Sequence, residues 1–162
     1  MSNEYLVVLP IEDMPEGASY PQGQSLPLHC TVMPYFHFGT LMNAGRLYEK
    51  LMTMGPDTEI VLVSEQFALF GPAVDKPCHV LVPNKELSLL HNELFAFLAK
   101  NNSLPDDLRY IGAGYRPHVA NAGDRSFPPG TKHVAKKVVV LERGKNKTRK
   151  VIQVHDFDEI PF

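Results

Sequence analysis

Short runs of β-forming residues, separated by turns rich in proline and glycine, most restrict the fold of this chain. Its 162 residues include 14 prolines and 11 glycines. Because short turns join most neighbouring runs, the sequence favours antiparallel pairing and an α+β class over a parallel, doubly wound sheet. Loops are predicted at 12–24 and 123–132, and a hairpin turn at 144–147. The predicted strands are Tyr5–Leu9, Leu28–Phe36, Ile60–Val63, Gln66–Phe70, Cys78–Val82, Arg116–Asn121, Val134–Leu141 and Lys150–Phe157.

Two stretches have the spacing of amphipathic helices. Thr40 is predicted to cap the first helix, and the Gly-Pro pair at 55–56 ends it. Asn84 is predicted to cap the second helix, which ends at the Asn-Asn pair at 101–102. The apolar faces are Leu41, Ala44, Tyr48, Leu51 and Met52 in the first helix and Leu87, Leu90, Leu94, Phe97 and Leu98 in the second.

Composition limits the kind of protein this is. Apolar residues make up 44% and charged residues 21%, which is ordinary for a globular protein. The formal net charge of −2 excludes a general polyanion binder, so any nucleic-acid contact must come from a local patch or a small ligand. We expect one bilobal domain over residues 1–162.

Cysteine usage and the lack of targeting signals predict a reduced, cytoplasmic protein. Cys30 and Cys78 are too few for a disulfide scaffold. No apolar run is long enough to span a bilayer, and residues 1–4 lack the basic segment of a signal peptide. We therefore expect no membrane contact and no obligatory protein partner.

Two histidines in strand-like segments are the candidate catalytic residues. Alternation places His29 and Thr31 on one face of their strand and leaves the opposite, apolar face to be buried. His118 and Ala120 share a face in the same way. Cleaving a phosphodiester requires one group to take a proton from the attacking oxygen and another to give one to the leaving oxygen. Imidazole suits both tasks because its pKa lies near neutral pH.

The segments around these histidines resemble the two-histidine (2H) phosphoesterase superfamily. Its pattern, a histidine, a hydrophobic residue, Thr or Ser and a hydrophobic residue, occurs twice and is matched at 29–32, while 115–118 resembles the usual lead-in to the second histidine. Segments 66–71 and 90–94 resemble the elements between the motifs. The superfamily includes 2′-5′ RNA ligase-like proteins, cyclic phosphodiesterases and phage enzymes that destroy cyclic oligonucleotide signals.

The resemblance implies a fold and an activity. The expected fold is α+β, with two antiparallel β lobes forming a central groove and helices on the outer faces. The expected activity is metal-independent and cofactor-free cleavage of a cyclic phosphate, or of a 2′-5′ or 3′-5′ linkage, in a nucleotide or a short or cyclic oligonucleotide. The implied catalytic residues are His29 and His118, and the implied substrate-binding residues are Thr31, Tyr115, Arg116 and Asn121.

The second motif departs from the superfamily pattern. Ala120 stands where Thr or Ser is expected, and Asn121 stands where a hydrophobic residue is expected. Ala120 has no donor for a phosphate oxygen, so Asn121, Ser126, Arg116 or a backbone N–H must compensate, or the substrate pose differs, or activity is weak. A β-bulge at Ala120 is one way to turn Asn121 toward the groove.

Other interpretations stay open at this point. The two histidines could be structural residues of a β-rich protein with a role in assembly, or the groove could sequester a nucleotide without cleaving it. Tyr35, Phe36 and Phe127 could stack on a base, although core packing is the commoner fate. The basic run at 132–150 could attract a polyanion, and solvated charges at a turn are the commoner reading. The histidine spacing matches no zinc motif.

Overall fold

The computed structural model describes residues 3–159, and in this part of the chain nine strands and two α-helices alternate in an α+β arrangement. Residues 1, 2 and 160–162, which the single-domain prediction includes, lie outside the described residues. The helices are α1 (Ala44–Leu51) and α2 (Lys85–Lys100). The strands are β1 (Glu4–Pro10), β2 (Ser19–Tyr20), β3 (His29–Phe36), β4 (Ile60–Phe70), β5 (Lys76–Leu81), β6 (His118–Ala120), β7 (Lys132–Ala135), β8 (Lys137–Arg143) and β9 (Arg149–Asp156).

The strands form one antiparallel sheet in the order β2-β9-β8-β1-β3-β6-β5-β4-β7. We call β2, β9, β8, β1 and β3 the first lobe and β6, β5, β4 and β7 the second lobe. The lobes join where β3 pairs with β6 through Cys30 and Val119. The predicted α+β class with two antiparallel groups of strands is therefore confirmed, and the two groups are continuous at this narrow junction.

Strand alternation builds a different core on each face of the sheet. On one face, Val7 and Leu9 of β1 join a large core that also includes Leu47 of α1 and Leu94 of α2. On the other face, neighbouring β1 residues join a smaller core with Met14, which lies in the segment between β1 and β2. Both helices thus cover the same face. The opposite face stays open at the junction of the lobes.

The second helix follows the prediction closely. Asn84 caps it by accepting a hydrogen bond from the backbone N–H of Leu87, as short polar side chains do at helix starts. Leu87, Leu94 and Leu98 are fully buried against the sheet. Burial of such leucines stabilises the domain by roughly 1.5–3 kcal/mol each, so this helix anchors β3 firmly.

The predicted start of the first helix is wrong. Asn43, not Thr40, caps α1 by accepting from the backbone N–H of Arg46. Gly39 packs so tightly against the end of α2 that a Cβ atom there would collide with the carbonyl oxygen of Asn102. This contact ties residues 39–42 into a turn, so the helix begins later than predicted. Leu41 and Tyr48 consequently lie exposed, and the buried residues are Leu47 and Leu51.

Several strand boundaries also differ from the prediction. The segments 60–63 and 66–70 form the single strand β4, whose register shifts between Ser64 and Gln66. The predicted strand 134–141 is instead divided between β7, which pairs with β4 in the second lobe, and β8, which pairs with β1 and β9 in the first lobe. The predicted loop at 12–24 also contains the short strand β2, and the predicted strand 116–121 is reduced to β6.

Among residues 3–159, no helix combines the length and apolar character that crossing a membrane requires.

Candidate active site

His29 and His118 lie on the open face of the sheet, on the two strands that join the lobes. Cys30 and Val119, the paired residues between them, are fully buried on the helix-covered face. Alternation therefore turns both histidines toward the open face, as predicted. Extending the antiparallel register by one residue puts His29 opposite Ala120 and His118 opposite Thr31. The two histidines are diagonal neighbours, a relation in which Cβ atoms lie about 7–8 Å apart or somewhat less.

The two imidazoles are held in the same way. The Nδ1 atom of His29 donates to the carbonyl oxygen of Pro27 at 2.8 Å, and that of His118 donates to the carbonyl oxygen of Arg116 at 2.8 Å. A carbonyl oxygen only accepts, so Nδ1 carries a proton in each ring. Neither Nε2 atom bonds to another residue of the described chain. Each Nε2 is thus free to accept a proton when its ring is neutral and to donate one when it is charged.

The pKa values of both histidines are lowered, chiefly because burial disfavours the charged ring. The hydrogen bonds to backbone carbonyls oppose this effect. The charges of His118 and Arg149 lower the pKa of His29 further, and that of Arg116 lowers the pKa of His118. In the absence of an anion, therefore, both rings favour the neutral form near pH 7.

The open face forms a groove of about 430 Å³, and both histidines lie in its lining. Lys76, Arg116 and Arg149 bring positive charge to this lining, and Asp107 brings the negative charge. Arg109 hydrogen-bonds to the Asp107 carboxyl and lowers its pKa to about 2, which keeps it ionised. The charge that remains uncompensated in the groove is positive and favours an anionic ligand.

An apolar wall lies on the first-lobe side of the groove. Leu6, Leu26 and Pro34 contribute to it together with Tyr35. The guanidinium carbon of Arg143 lies 3.6 Å from the centroid of the Tyr35 ring. Of the three aromatic residues considered for base stacking, Tyr35 lines the groove, whereas Phe36 and Phe127 are buried in the core.

Thr31 is positioned by a network behind the groove. The hydroxyl of Tyr115 donates to the Thr31 carbonyl oxygen at 2.7 Å, and the Tyr115 ring stacks on His91 at 3.9 Å. His91 is fully buried, donates from Nδ1 to the carbonyl oxygen of Val32 and accepts at Nε2 from the Gly112 N–H. Because the Tyr115 hydroxyl is used here, Tyr115 would meet a ligand through its ring.

Phe70 lies against the His118 ring, and Arg116 lies over the Phe70 ring. The centroid of the Phe70 ring lies 4.3 Å from that of the His118 ring. The guanidinium carbon of Arg116 lies 4.9 Å from the Phe70 centroid, and Arg116 makes no ion pair within the described residues. Arg116 is therefore oriented beside His118 with its charge available.

Asn121 reaches the groove without a β-bulge. Residues 118–120 pair with β5 in regular register, and Asn121 follows where the strand ends and its backbone N–H donates to the carbonyl oxygen of Pro77. The bulge considered at Ala120 is thus wrong. Asn121 lines the groove, and its Oδ1 atom is buried without a hydrogen-bond partner in the described chain. An unsatisfied buried oxygen costs about 1–3 kcal/mol, a cost that a ligand donor would remove.

Hydrogen bonds hold the segment that precedes His29 in place. The Glu12 carboxylate accepts from the backbone N–H of Leu28 at 2.7 Å and from Arg125 at 3.0 Å, which connects the first lobe to the turn after β6. Arg149 donates to the carbonyl oxygens of Tyr20 and Pro21. This segment therefore forms a fixed wall of the groove.

Lys76, Tyr110 and Arg149 are among the lining residues that sequence reasoning did not single out. Arg149 was counted only within the basic run at 132–150, and no local pattern distinguishes the other two. Their place in the groove results from pairing between distant strands. Within residues 3–159, no three His, Cys, Asp or Glu side chains are grouped closely enough to hold a metal ion.

Comparison with known proteins identifies the fold. No family model and no curated protein sequence matches this chain. A crystal structure described as a phosphoesterase is similar with a TM-score of 0.57 and 10% identity, covering 96% of this chain and 98% of that one. Structures of E. coli LigT in the apo form and with 3′-AMP are similar with TM-scores of 0.55 and 12% identity, each covering 96% of this chain and 97% and 98% of theirs.

The fold is therefore that of LigT and of this phosphoesterase, and it extends over nearly the whole chain. It confirms the fold that the resemblance to the 2H phosphoesterases implied. At 10–12% identity, the likeness establishes the fold alone.

Proposed function

We propose that this chain is a metal-independent phosphodiesterase in which His29 and His118 act as a general acid–base pair. The proposal depends mainly on one observation: the two imidazoles have equivalent positions and hydrogen bonds. Both lie on adjacent strands at one groove, both are fixed through Nδ1, and both leave Nε2 unbonded within the described chain. Two such groups on one positively charged groove suit the two proton transfers of phosphodiester cleavage.

In the proposed reaction, the Nε2 atom of one neutral histidine takes the proton of the attacking hydroxyl or water. The attacking oxygen forms a bond to phosphorus while the bond to the leaving oxygen breaks. The Nε2–H group of the other, charged histidine gives its proton to that leaving oxygen. Burial favours the neutral state of both rings, and the bound phosphate anion raises the pKa of its neighbours, so one ring becomes charged when substrate binds.

Three side chains are proposed to bind the phosphoryl oxygens. The Thr31 hydroxyl makes no hydrogen bond within the described chain, and Thr31 lies opposite His118. Arg116 brings an unpaired positive charge to the same side. Asn121 follows Ala120, which lacks the hydroxyl of the superfamily pattern, and its side-chain amide N–H can donate to a phosphoryl oxygen in its place. Tyr115 holds Thr31 from behind.

The proposed substrate is a cyclic phosphate or a 2′-5′ or 3′-5′ linkage in a short or cyclic oligonucleotide. The groove volume of about 430 Å³, its Tyr35 wall and its positive charge support a nucleotide ligand. LigT, which shares the fold, has been crystallised with 3′-AMP, ATP and NADP+. We propose that the chain acts in the cytoplasm as a single bilobal domain of residues 1–162.

Turnover by single variants tests this proposal. A panel of 2′,3′-cyclic nucleotides, 2′-5′ oligomers and cyclic dinucleotides is incubated with the protein in the presence of EDTA. His29→Ala and His118→Ala should each lower kcat by about 10²–10⁴-fold with the fold intact by circular dichroism. His133→Ala, on strand β7 away from the groove, is the matched control and should keep full activity. Robust turnover by the double variant His29→Ala/His118→Ala would overturn the proposal.

A second candidate function is capture of a nucleotide without cleavage, and the hydroxyl missing at Ala120 favours it. The protein is mixed with cyclic oligonucleotides, denatured, and the released nucleotides are chromatographed. Intact ligand after denaturation would support capture, whereas new products would support the phosphodiesterase.

A further inference from the structure

A second cavity opens beside His118 on the side away from Tyr35. Its volume is about 250 Å³. Lys76, Tyr110, His118 and Ala120 are among the residues that line both this cavity and the groove, so the two adjoin at these side chains. Neither His29 nor Thr31 lines it. The second cavity therefore extends the site beyond the position where the proposed scissile phosphate lies.

Among the charged side chains that line the second cavity, Lys76 has no ion-pair partner in the described part of the chain. Arg109 and Asp107 pair with each other at 2.8 Å and offset each other. Lys76 makes no ion pair with any carboxylate of the described chain. The net charge of the lining is therefore positive and is centred on the Lys76 ammonium group, which suits an anion.

The backbone beneath Lys76 is shaped to hold its side chain. Gly71 has a φ of +96°, a conformation that favours glycine. A Cβ atom at Gly71 would lie 3.1 Å from Cδ and 3.2 Å from Cγ of Lys76. The lysine stem thus lies directly over the glycine, and this support directs an otherwise exposed side chain along the cavity.

Aromatic rings form the wall next to this cation. Tyr110 is half-buried and packs edge-on against Phe70, with 5.7 Å between the ring centroids. The Arg109 guanidinium carbon lies 5.5 Å from the Tyr110 centroid and steadies the ring. An aromatic surface beside a cation matches a nucleoside joined to a phosphate.

We propose that the second cavity binds a second, non-scissile phosphate of the substrate, with Lys76 as its cationic ligand and Tyr110 beside the attached nucleoside. The substrate is then a phosphodiester of at least dinucleotide length that carries two phosphates. A 2′,3′-cyclic mononucleotide has a single phosphate and would leave this cavity empty. The inference rests on the proposed function only in that the first phosphate lies between His29 and His118.

Binding to a catalytically disabled protein tests the inference independently of turnover. The background variant is His29→Ala, because His29 does not line the second cavity. Calorimetry compares cyclic di-AMP, in which the second phosphate is one nucleoside away in either direction, with 2′,3′-cyclic AMP. The background variant should bind cyclic di-AMP about tenfold or more tightly than 2′,3′-cyclic AMP.

Adding Lys76→Ala should weaken cyclic di-AMP binding by about threefold to tenfold, as expected for one partly exposed charge-assisted contact, and should leave 2′,3′-cyclic AMP within about twofold. It should also make the binding of cyclic di-AMP less dependent on salt. The slope of log K against log salt concentration should fall in magnitude by roughly one, as expected for the loss of one phosphate contact. Lys85→Ala, an exposed lysine at the start of α2, is the matched control and should change neither affinity. Equal affinities for the two ligands, or an equal loss for both on Lys76→Ala, would overturn the inference.

Discussion

Replacing Ala120 by threonine should restore the hydroxyl that the second histidine motif lacks. Ala120 lies in the groove opposite His29, in the position that Thr31 occupies opposite His118. Its side chain is exposed, so a larger side chain meets open space and the stability should change by less than about 0.5 kcal/mol. The new hydroxyl would face the phosphoryl oxygen nearest His29.

The size of the gain follows from what such donors contribute in preorganised sites. Removing one donor to a developing oxyanion costs about 10²–10³-fold in kcat. The new threonine at position 120 has no neighbour like Tyr115 to fix it, so a part of this range is expected. We predict that kcat rises about 10- to 100-fold, which corresponds to about 1.4–2.7 kcal/mol of transition-state stabilisation.

Ala120→Val is the matched control, because valine has the shape of threonine without the hydroxyl. The assay measures kcat and KM of both variants on the best substrate of the panel, with EDTA present. Only the threonine variant should gain activity. If the two variants turn over equally, or if valine is the better one, the register-based placement of residue 120 beside the phosphate is refuted.

Three further predictions concern the residues around the groove. Thr31→Val should lower kcat by about 10²–10³-fold with unchanged folding, measured on the same substrate; a change of less than about threefold would exclude Thr31 as a phosphoryl ligand. Tyr115→Phe removes the hydroxyl that donates to the carbonyl oxygen of Thr31 and leaves this oxygen only a weak contact from the Cys30 thiol. The variant should lower kcat by about tenfold and the unfolding free energy in urea titrations by about 0.5–1.5 kcal/mol, and an unchanged kcat would contradict the positioning role of Tyr115. Burial lowers the pKa values of His29, His91 and His118 in the folded state. Their neutral forms therefore stabilise the fold at pH values above the unfolded-state pKa of about 6.5, and this contribution to stability is lost as the pH falls below that pKa. Urea unfolding at pH 7.5 and 5.5 should show a lower unfolding free energy at pH 5.5, and a rise would contradict this assignment.

Features set by local sequence were predictable. Asn84 followed by regularly spaced leucines defines α2, since capping and amphipathic spacing act within a few turns. Alternation at 29–32 predicted which side chains face the groove, because the buried partners Cys30 and Val32 fix the face.

Features set by distant contacts were not predictable. The start of α1 depends on Gly39 packing against Asn102, far along the chain. The segment 134–141 reads as one strand, yet it pairs with β4 before Lys136 and with β1 after it. The groove residues Lys76 and Arg149 likewise come together only through the order of the sheet.

A crystal structure of the protein with orthovanadate shows whether both imidazoles contact one phosphoryl group. Vanadate mimics the phosphoryl group during transfer, and hydrogen bonds to it require about 2.6–3.2 Å between heavy atoms. We expect one vanadate in the groove, with the Nε2 atoms of His29 and His118 both within this distance of its oxygens and with Thr31 as a third contact. Vanadate bound to only one of the histidines, or outside the groove, would show that the two imidazoles do not act on one phosphoryl group.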